Sequence, residues 1–320
     1  MEDYQARGYI FESVVWRLLQ KFGYINVTTS ELRGRGASHQ IDAYGMLAIP
    51  TAFMYPVRLI CECKCFAESY PIKLHHMRSF VGVIKDISEN YIIDASGNRS
   101  TPYRYTDVGC FFSSSSFTVD AQEYSWAHNI FIISFNETPI LKPIIQIIKR
   151  YVNNYSRVEL LHMTKSEIVS RFWNENSREN INNISCAIGI IDGVYPVALI
   201  GREAWLERID NTGNLAYERI QAVKTRRRSN KFDTVFELNI LQENINFSLP
   251  NIIASKIIDR IDKSNSGDKI FEIDVPYIKK IGENTIRRFL KIEVILPIDE
   301  KEAYIASLKN NIQMLGEAIE

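Results

Sequence analysis

The chain has no net charge: 38 Lys and Arg stand against 38 Asp and Glu over 320 residues. A bulk basic surface is therefore excluded, and only a local patch can serve an anionic polymer. Long apolar runs are also missing. Stretches such as Ile144 to Ile148 are far too short to span a bilayer. Met1-Glu2-Asp3-Tyr4 offers neither a basic leader nor an apolar signal segment, so a cytoplasmic protein with no membrane partner is expected. No glycine-rich P-loop occurs, which argues against nucleotide-driven movement by the chain itself. No Gly-x-Ser-x-Gly elbow surrounds Ser113 to Ser116, so that run reads as a strand-to-helix turn and not as a nucleophile. No repeat of fixed period is found.

Cysteine is scarce and odd in number: Cys61, Cys63, Cys65, Cys110 and Cys186. The alternation of the first three suits buried, reduced thiols on a strand in a reducing compartment. Zinc is the alternative for these three. Their spacing is not the usual C-x₂₋₄-C, and no second ligand pair follows.

What is present is an ordinary globular composition. Hydrophobic residues make up 46%, enough for a packed core, and the length allows two domains. Tyr9 to Phe22 reads as an amphipathic helix with Gly23 as its terminator. Strands are expected over Tyr24–Thr29, Gln40–Tyr44, Val57–Phe66, Val108–Ser113 and Ile130–Phe135. Helices are expected over Ile72–Ile87 and over Thr118–His128, with Thr118 as N-cap. Ser96 to Asp107 is turn-rich and reads as an exposed loop.

The texture changes after Pro143. Ile144–Val152 reads as a closing helix or linker, and Val158–Asn176 as a helix. Further strands are expected over Cys186–Ile191 and Val194–Ile200, joined by an Asp192-Gly193 hairpin turn. Thr234–Ile240, Ile270–Tyr277 and Phe289–Leu296 alternate in the same way, and Asp299–Leu315 reads as a terminal helix. This organisation places one domain over residues 1–155 and an α+β domain over 156–320.

One pair of segments carries chemistry. Asp42 closes the first (Ile41-Asp42-Ala43-Tyr44-Gly45), and Glu62 and Lys64 lie on the second (Leu59 to Cys65). Residues i and i+2 of a strand share a face, so Glu62 and Lys64 project together while Cys61, Cys63 and Cys65 face the other way. A hairpin would bring two carboxylates and one ammonium to one place. Asp42 and Glu62 are hard oxygen donors suited to Mg²⁺ or Mn²⁺, and Lys64 can offset charge growing on a phosphate. The bland alternative is a set of solvated strand charges.

The surrounding segments resemble the PD-(D/E)xK nuclease superfamily and, within it, the Mrr-like restriction endonuclease group. The resemblance covers the first half of the chain. It rests on Gly8-Tyr9-Ile10-Phe11-Glu12, Gly36 to Asp42, Ile60-Cys61-Glu62-Cys63-Lys64 with the helix after it, Gly109-Cys110-Phe111-Phe112-Ser113, and Ser116-Phe117-Thr118-Val119-Asp120-Ala121. Two departures stand out. His39-Gln40-Ile41-Asp42 lacks the Pro-Asp of the superfamily, and Glu62 replaces the glutamine of many Mrr-like members.

The resemblance implies an α/β fold, a restriction-endonuclease-like mixed central sheet flanked by helices, followed here by a separate α+β C-terminal domain. It implies Asp42, Glu62 and Lys64 as the catalytic core, with Asp42 and Glu62 on the metal and Glu12 in the helix-borne acidic position. The expected activity is Mg²⁺- or Mn²⁺-dependent hydrolysis of DNA in restriction or anti-phage defence. A non-catalytic nucleic-acid-binding or regulatory protein on a nuclease scaffold is the alternative. Arg33 and Arg35 in a flexible Gly-rich loop, and Gln40 with the strand parity of Asp42, are candidate substrate contacts. For the two arginines a solvated loop is the other reading. His39 reads as a hydrogen-bonded structural residue, with a ligand role as the alternative, and His75 and His76 as a solvated helix flank. The basic run Lys224 to Lys231 reads as a solvated connection or a phosphate-binding loop. The C-terminal domain offers a surface for a homodimer or a protein partner.

Overall fold

The computed structural model describes residues 1–47, 53–90, 104–176, 183–202, 205–206, 215–216, 219–227, 231–240, 243–265, 267–281 and 284–295. Contacts divide the chain into two compact units, Met1–Asn136 with Leu141–Ile181, and Glu137–Ile140 with Asn182–Glu320.

The first unit opens with helix α1, Asp3–Lys21. Its buried face is Ala6, Ile10, Phe11, Val14, Val15, Leu18 and Leu19. The helix starts six residues before the expected Tyr9, because its first turns carry only one apolar contact, Ala6, and give no periodic signal. At the other end Gly23 adopts φ +87° and stops the helix, as its sequence position suggested.

A five-stranded sheet follows in the order β1-β2-β3-β4-β5: Tyr24–Arg33, Ser38–Leu47, Val57–Lys64, Thr106–Ser113 and Ile130–Ser134. The first three strands pair antiparallel, and β3, β4 and β5 pair parallel. This is the expected mixed sheet. Helices α2 (Leu74–Ser88) and α3 (Val119–Ala127) cover one face, through a core containing Ile41, Ile60, Phe80, Ile84, Phe111 and Ile130. Thr118 caps α3 by accepting the Ala121 N–H. The opposite parity meets α1: Phe112 packs on Phe135, whose ring lies 4.8 Å from that of Phe11.

Three more helices complete this unit: α4 (Lys142–Asn153), α5 (Arg157–His162) and α6 (Lys165–Asn176). The sequence suggested one helix over Val158–Asn176, but extended backbone at Met163 divides it. Ser156 and Thr164 each cap a separate helix, with Glu159 and Glu167 closing the boxes. The junction read from sequence falls after Tyr155, whereas α5 and α6 group with the first unit. Trp173 of α6 donates its Nε1–H to Ser13 Oγ of α1 at 3.0 Å, and the Arg17 guanidinium lies 3.6 Å over the Trp173 ring.

The second unit is an eight-stranded sheet in the order β8-β13-β12-β6-β7-β11-β10-β9. The strands are β6 Ile184–Ile191, β7 Tyr195–Arg202, β8 Leu215–Ala216, β9 Arg219–Arg227, β10 Lys231–Ile240, β11 Glu243–Leu249, β12 Lys269–Ile281 and β13 Asn284–Ile295. Asp192 and Gly193 both take positive φ (50° and 68°), the signature of a type I′ hairpin turn. Helix α7, Asn251–Lys263, buries Ile253, Ile257, Ile258 and Ile261 against this sheet. The expected helix Asp299–Leu315 and most of the loop Ser96–Asp107 lie outside the described residues. The backbone of the basic run forms the end of β9 and the start of β10, with 228–230 outside the description. Among the described residues no helix is long and apolar enough to cross a membrane.

Candidate active site

The site forms where β2 and β3 part. Their ladder runs from Met46↔Arg58 to Ala43↔Cys61 and stops there. β3 itself continues, paired to β4 as far as Lys64↔Ser113. Beside this point β2 carries a bulge: Thr28 opposes Tyr44 and Ser30 opposes Ile41, so β2 spends three steps where β1 spends two. A bulge re-aims the side chains next to it and ends regular pairing. Asp42 sits in that extra step. Its Oδ2 accepts the Cys63 N–H at 2.8 Å, so a carboxylate replaces the ladder bond that the parting strands cannot make.

Glu62 and Lys64 take the parity of Ile60 at the open end of β3. They are partly exposed (23% and 33%) and form an ion pair with each other. Burial and the charge of Asp42 push the Glu62 carboxyl up, against the opposing pull of Lys64. Burial draws the Lys64 ammonium down, but the charge and hydrogen bond of Glu62, helped by Asp42, outweigh it and leave its pKa raised. Lys64 is therefore a cation throughout the physiological range.

Glu12 reaches the same region from α1. Burial raises its pKa, and Asp42 raises it further, while Lys165 and Lys64 lower it. Its Oε2 accepts the Lys165 Nζ–H at 2.7 Å. The structure thus groups Asp42, Glu62, Lys64 and Glu12 electrostatically. Among the described residues no three or more His, Cys, Asp or Glu side chains gather as a ready-made metal cage. In donor chemistry the Asp42 and Glu62 carboxylates suit a small divalent cation, which keeps several waters and takes one or two carboxylates from a protein.

The cysteines lie where alternation placed them, with one exception. Cys61 and Cys63 are buried, and burial drives both thiols well above their usual range, which disfavours thiolate. Cys65, past the end of β3, is only half-buried.

The Gly-rich segment is a fastened hairpin tip and not the flexible loop its composition suggested. The Asp86 carboxylate of α2 accepts Gly36 N–H at 2.8 Å and Ala37 N–H at 3.1 Å, and lies 2.7 Å from His39 Nε2. His39 is thereby a structural residue. The Arg35 N–H bonds the Asp86 carbonyl at 2.8 Å, and its guanidinium approaches Glu89 at 3.6 Å. Arg33 is exposed opposite Ser38. Gln40 is exposed opposite Glu31. Both arginines belong to a tip some four residues beyond Asp42, about 13 Å along β2, so neither joins the central group.

One residue at the site gives no signal in the sequence: Lys165 comes from α6, which only tertiary packing brings to α1. His76 departs from the solvated flank that its sequence position suggests: its ring lies between Phe66 and His75, with centroids 5.5 and 3.9 Å away, and its Nδ1 accepts the Lys73 N–H at 3.1 Å. Burial and His75, with Lys64 contributing, hold His76 below the usual imidazole range.

No protein-family model and no curated protein matches the chain. Two solved structures are similar in part. A protein of unknown function, AF1548, is 12% identical, covers 53% of this chain and 99% of its own, and superposes with a TM-score of 0.32. The DNA modification-dependent restriction endonuclease AspBHI is 12% identical, with 55% of this chain and 40% of its own covered, at a TM-score of 0.29.

Proposed function

We propose that the first unit is a metal-dependent nuclease that hydrolyses DNA phosphodiester bonds. The observation that carries the reading is Asp42. A bulge and a lost ladder bond set its carboxylate at the parting of two strands, beside Glu62 and Lys64. A solvated strand charge needs no such arrangement.

Asp42 and Glu62 would hold the cation. A bound Mg²⁺ or Mn²⁺ would supply an electrophile for the phosphate and an acidified water. The residues of the chain do the rest. The Cys63 N–H fixes one Asp42 oxygen and so orients the carboxylate. Lys64, a permanent cation on a rigid strand, offsets charge that develops on the phosphate oxygens. Glu12 offers a further carboxylate for orienting water. The resemblance of the first half to Mrr-like endonucleases supports DNA as substrate and restriction or defence as the setting. The second unit would serve recognition, dimer formation or a protein partner.

The test is incubation of the protein with plasmid DNA, single-stranded DNA and RNA, with and without Mg²⁺ or Mn²⁺, beside Asp42→Ala. Divalent-dependent cleavage of DNA that Asp42→Ala lacks is the expected result. Binding without cleavage would leave a non-catalytic scaffold. Undiminished cleavage by Asp42→Ala would place the active site elsewhere.

A further inference from the structure

Every acidic side chain at the site except Asp42 is held by a lysine. Glu62 is held by Lys64, on its own strand. Glu12 is held by Lys165, which no strand motif supplies. The two lysines differ in setting. Lys64 is fixed beside its partner on β3. Lys165 is the first residue of α6, and its side chain is 51% exposed while that of Glu12 is 17% exposed.

The backbone beneath Lys165 is well anchored. Thr164 and Glu167 close the helix start on themselves. Ile168, Phe172 and Trp173 are buried, and Trp173 bonds Ser13 one residue beyond Glu12. The ammonium also lies 4.7 Å over the face of Tyr9. A rigid base thus carries a long, half-exposed cation at the edge of the site, and its partner is a carboxylate that a phosphate resembles in charge and acceptor geometry.

Resting on the nuclease reading, we propose that Lys165 is a second lysine of the active site, one that contacts a backbone phosphate of the bound DNA, with Glu12 as its placeholder in the free protein. The incoming phosphodiester takes the place of Glu12 on the ammonium, and the Glu12 carboxylate, left without that cation beside Asp42, would take up a proton or serve as a further carboxylate for water. α6 is then part of the catalytic unit and not a connector.

Binding without chemistry tests this. Anisotropy of a labelled duplex is measured in EDTA across a salt series for wild type, Lys165→Gln, Lys165→Arg, Glu12→Gln and the double variant. Lys165→Gln is expected to weaken binding about 5–10-fold at low salt and to flatten the log–log salt slope by about 0.9, the loss of one phosphate contact. Lys165→Arg should restore both. Glu12→Gln should tighten binding about 2–5-fold, and this gain should shrink when Lys165 is absent. In cleavage, Lys165→Gln should raise KM more than it lowers kcat. Since Lys165 is half-exposed, melting curves should match wild type, and Lys165→Arg and Glu12→Gln carry the test if they do not. Wild-type affinity and salt slope in Lys165→Gln would overturn the inference while leaving the nuclease reading intact. Failure of the wild type to bind or cleave DNA would remove both.

Discussion

Two clusters of Glu and Lys on strands show what placement does to the same chemistry. In the first unit Glu62 and Lys64 stand at the parting of β2 and β3, with Asp42 and Glu12 close by. In the second, Glu272 on β12 pairs with Lys269 and with Lys291 of β13, the latter at 2.8 Å. Two lysines hold the Glu272 carboxyl down to about 2. Burial and a second carboxylate hold Glu62 up. The first arrangement gathers negative charge against its own cost; the second neutralises it with two exposed lysines from paired strands. An unfavourable cluster that the fold maintains is the better candidate for chemistry.

The widest separation between the clusters should be in rate. Lys64→Ala and Glu62→Ala should each lower divalent-dependent DNA cleavage by about 10³-fold, the scale of one lost electrostatic contact in a transition state. Glu272→Gln and Lys291→Ala should leave it within about twofold. Equal losses in the two sets, measured on one plasmid substrate, would dissolve the comparison.

The next effect is linkage to the cation. Mg²⁺ at 100 times its Kd should stabilise the first unit by about 2.7 kcal/mol. The shift in melting temperature should vanish in Asp42→Ala, which removes an anchor. It should persist in Lys64→Ala, because an ammonium does not coordinate. A shift that survives in Asp42→Ala would put the cation elsewhere, and Glu272→Gln should not alter it.

Much of this was legible in the sequence, and the failures have physical reasons. The i, i+2 pairing of Glu62 with Lys64 needs only strand geometry, as does the burial of Cys61 and Cys63. The bulge at Asp42 was hidden, because it depends on how β1 and β2 register against each other. Lys165 was hidden for a related reason: it meets Glu12 only through the docking of α6 on α1. The break between α5 and α6 is legible in the sequence, since Ser156-x-x-Glu159 and Thr164-x-x-Glu167 are both capping boxes, whereas apolar periodicity alone runs through it. Helix α7 was missed because its isoleucines at 252, 253, 257, 258 and 261 include adjacent pairs of β-branched residues, which also suit strands.

Packing offers a smaller effect in each unit. A Cβ on Gly109 of β4 would stand 2.3 Å from Ile84 Cδ1 and 2.5 Å from Ile130 Cδ1. A Cβ on Gly189 of β6 would stand 2.6 Å from Ile273 Cγ2. Each Gly→Ala change should destabilise its own unit by about 1–3 kcal/mol, the usual cost of an overfilled core. Gly109→Ala should lower the temperature at which cleavage is lost. Chemical denaturation followed by Trp fluorescence checks both, and no change in either would show that the neighbouring side chains yield freely.

The smallest effect is also the sharpest, because its sign differs between the clusters. A carboxyl whose folded pKa is raised contributes stability below its unfolded value, near 4.3, and loses it as pH rises through the folded value. Glu62 is of this kind, so at pH 7 its ionised form burdens the fold. A carboxyl whose folded pKa is depressed behaves in the opposite way. Glu272 contributes stability above the unfolded value and loses it as pH falls towards about 2. In EDTA at pH 7, Glu62→Gln should therefore raise the melting temperature of its unit by about 2 °C, and Glu272→Gln should lower that of the other. As pH falls the Glu62→Gln gain should fade first, because the wild-type residue then protonates in place. The same proton competes with the cation, so the Mg²⁺-induced shift should decline at a pH above that expected for an ordinary glutamate. A melting series in pH steps reads all of this, and shifts of the same sign in the two variants would mean that the fold does not strain the Asp42–Glu62 pair.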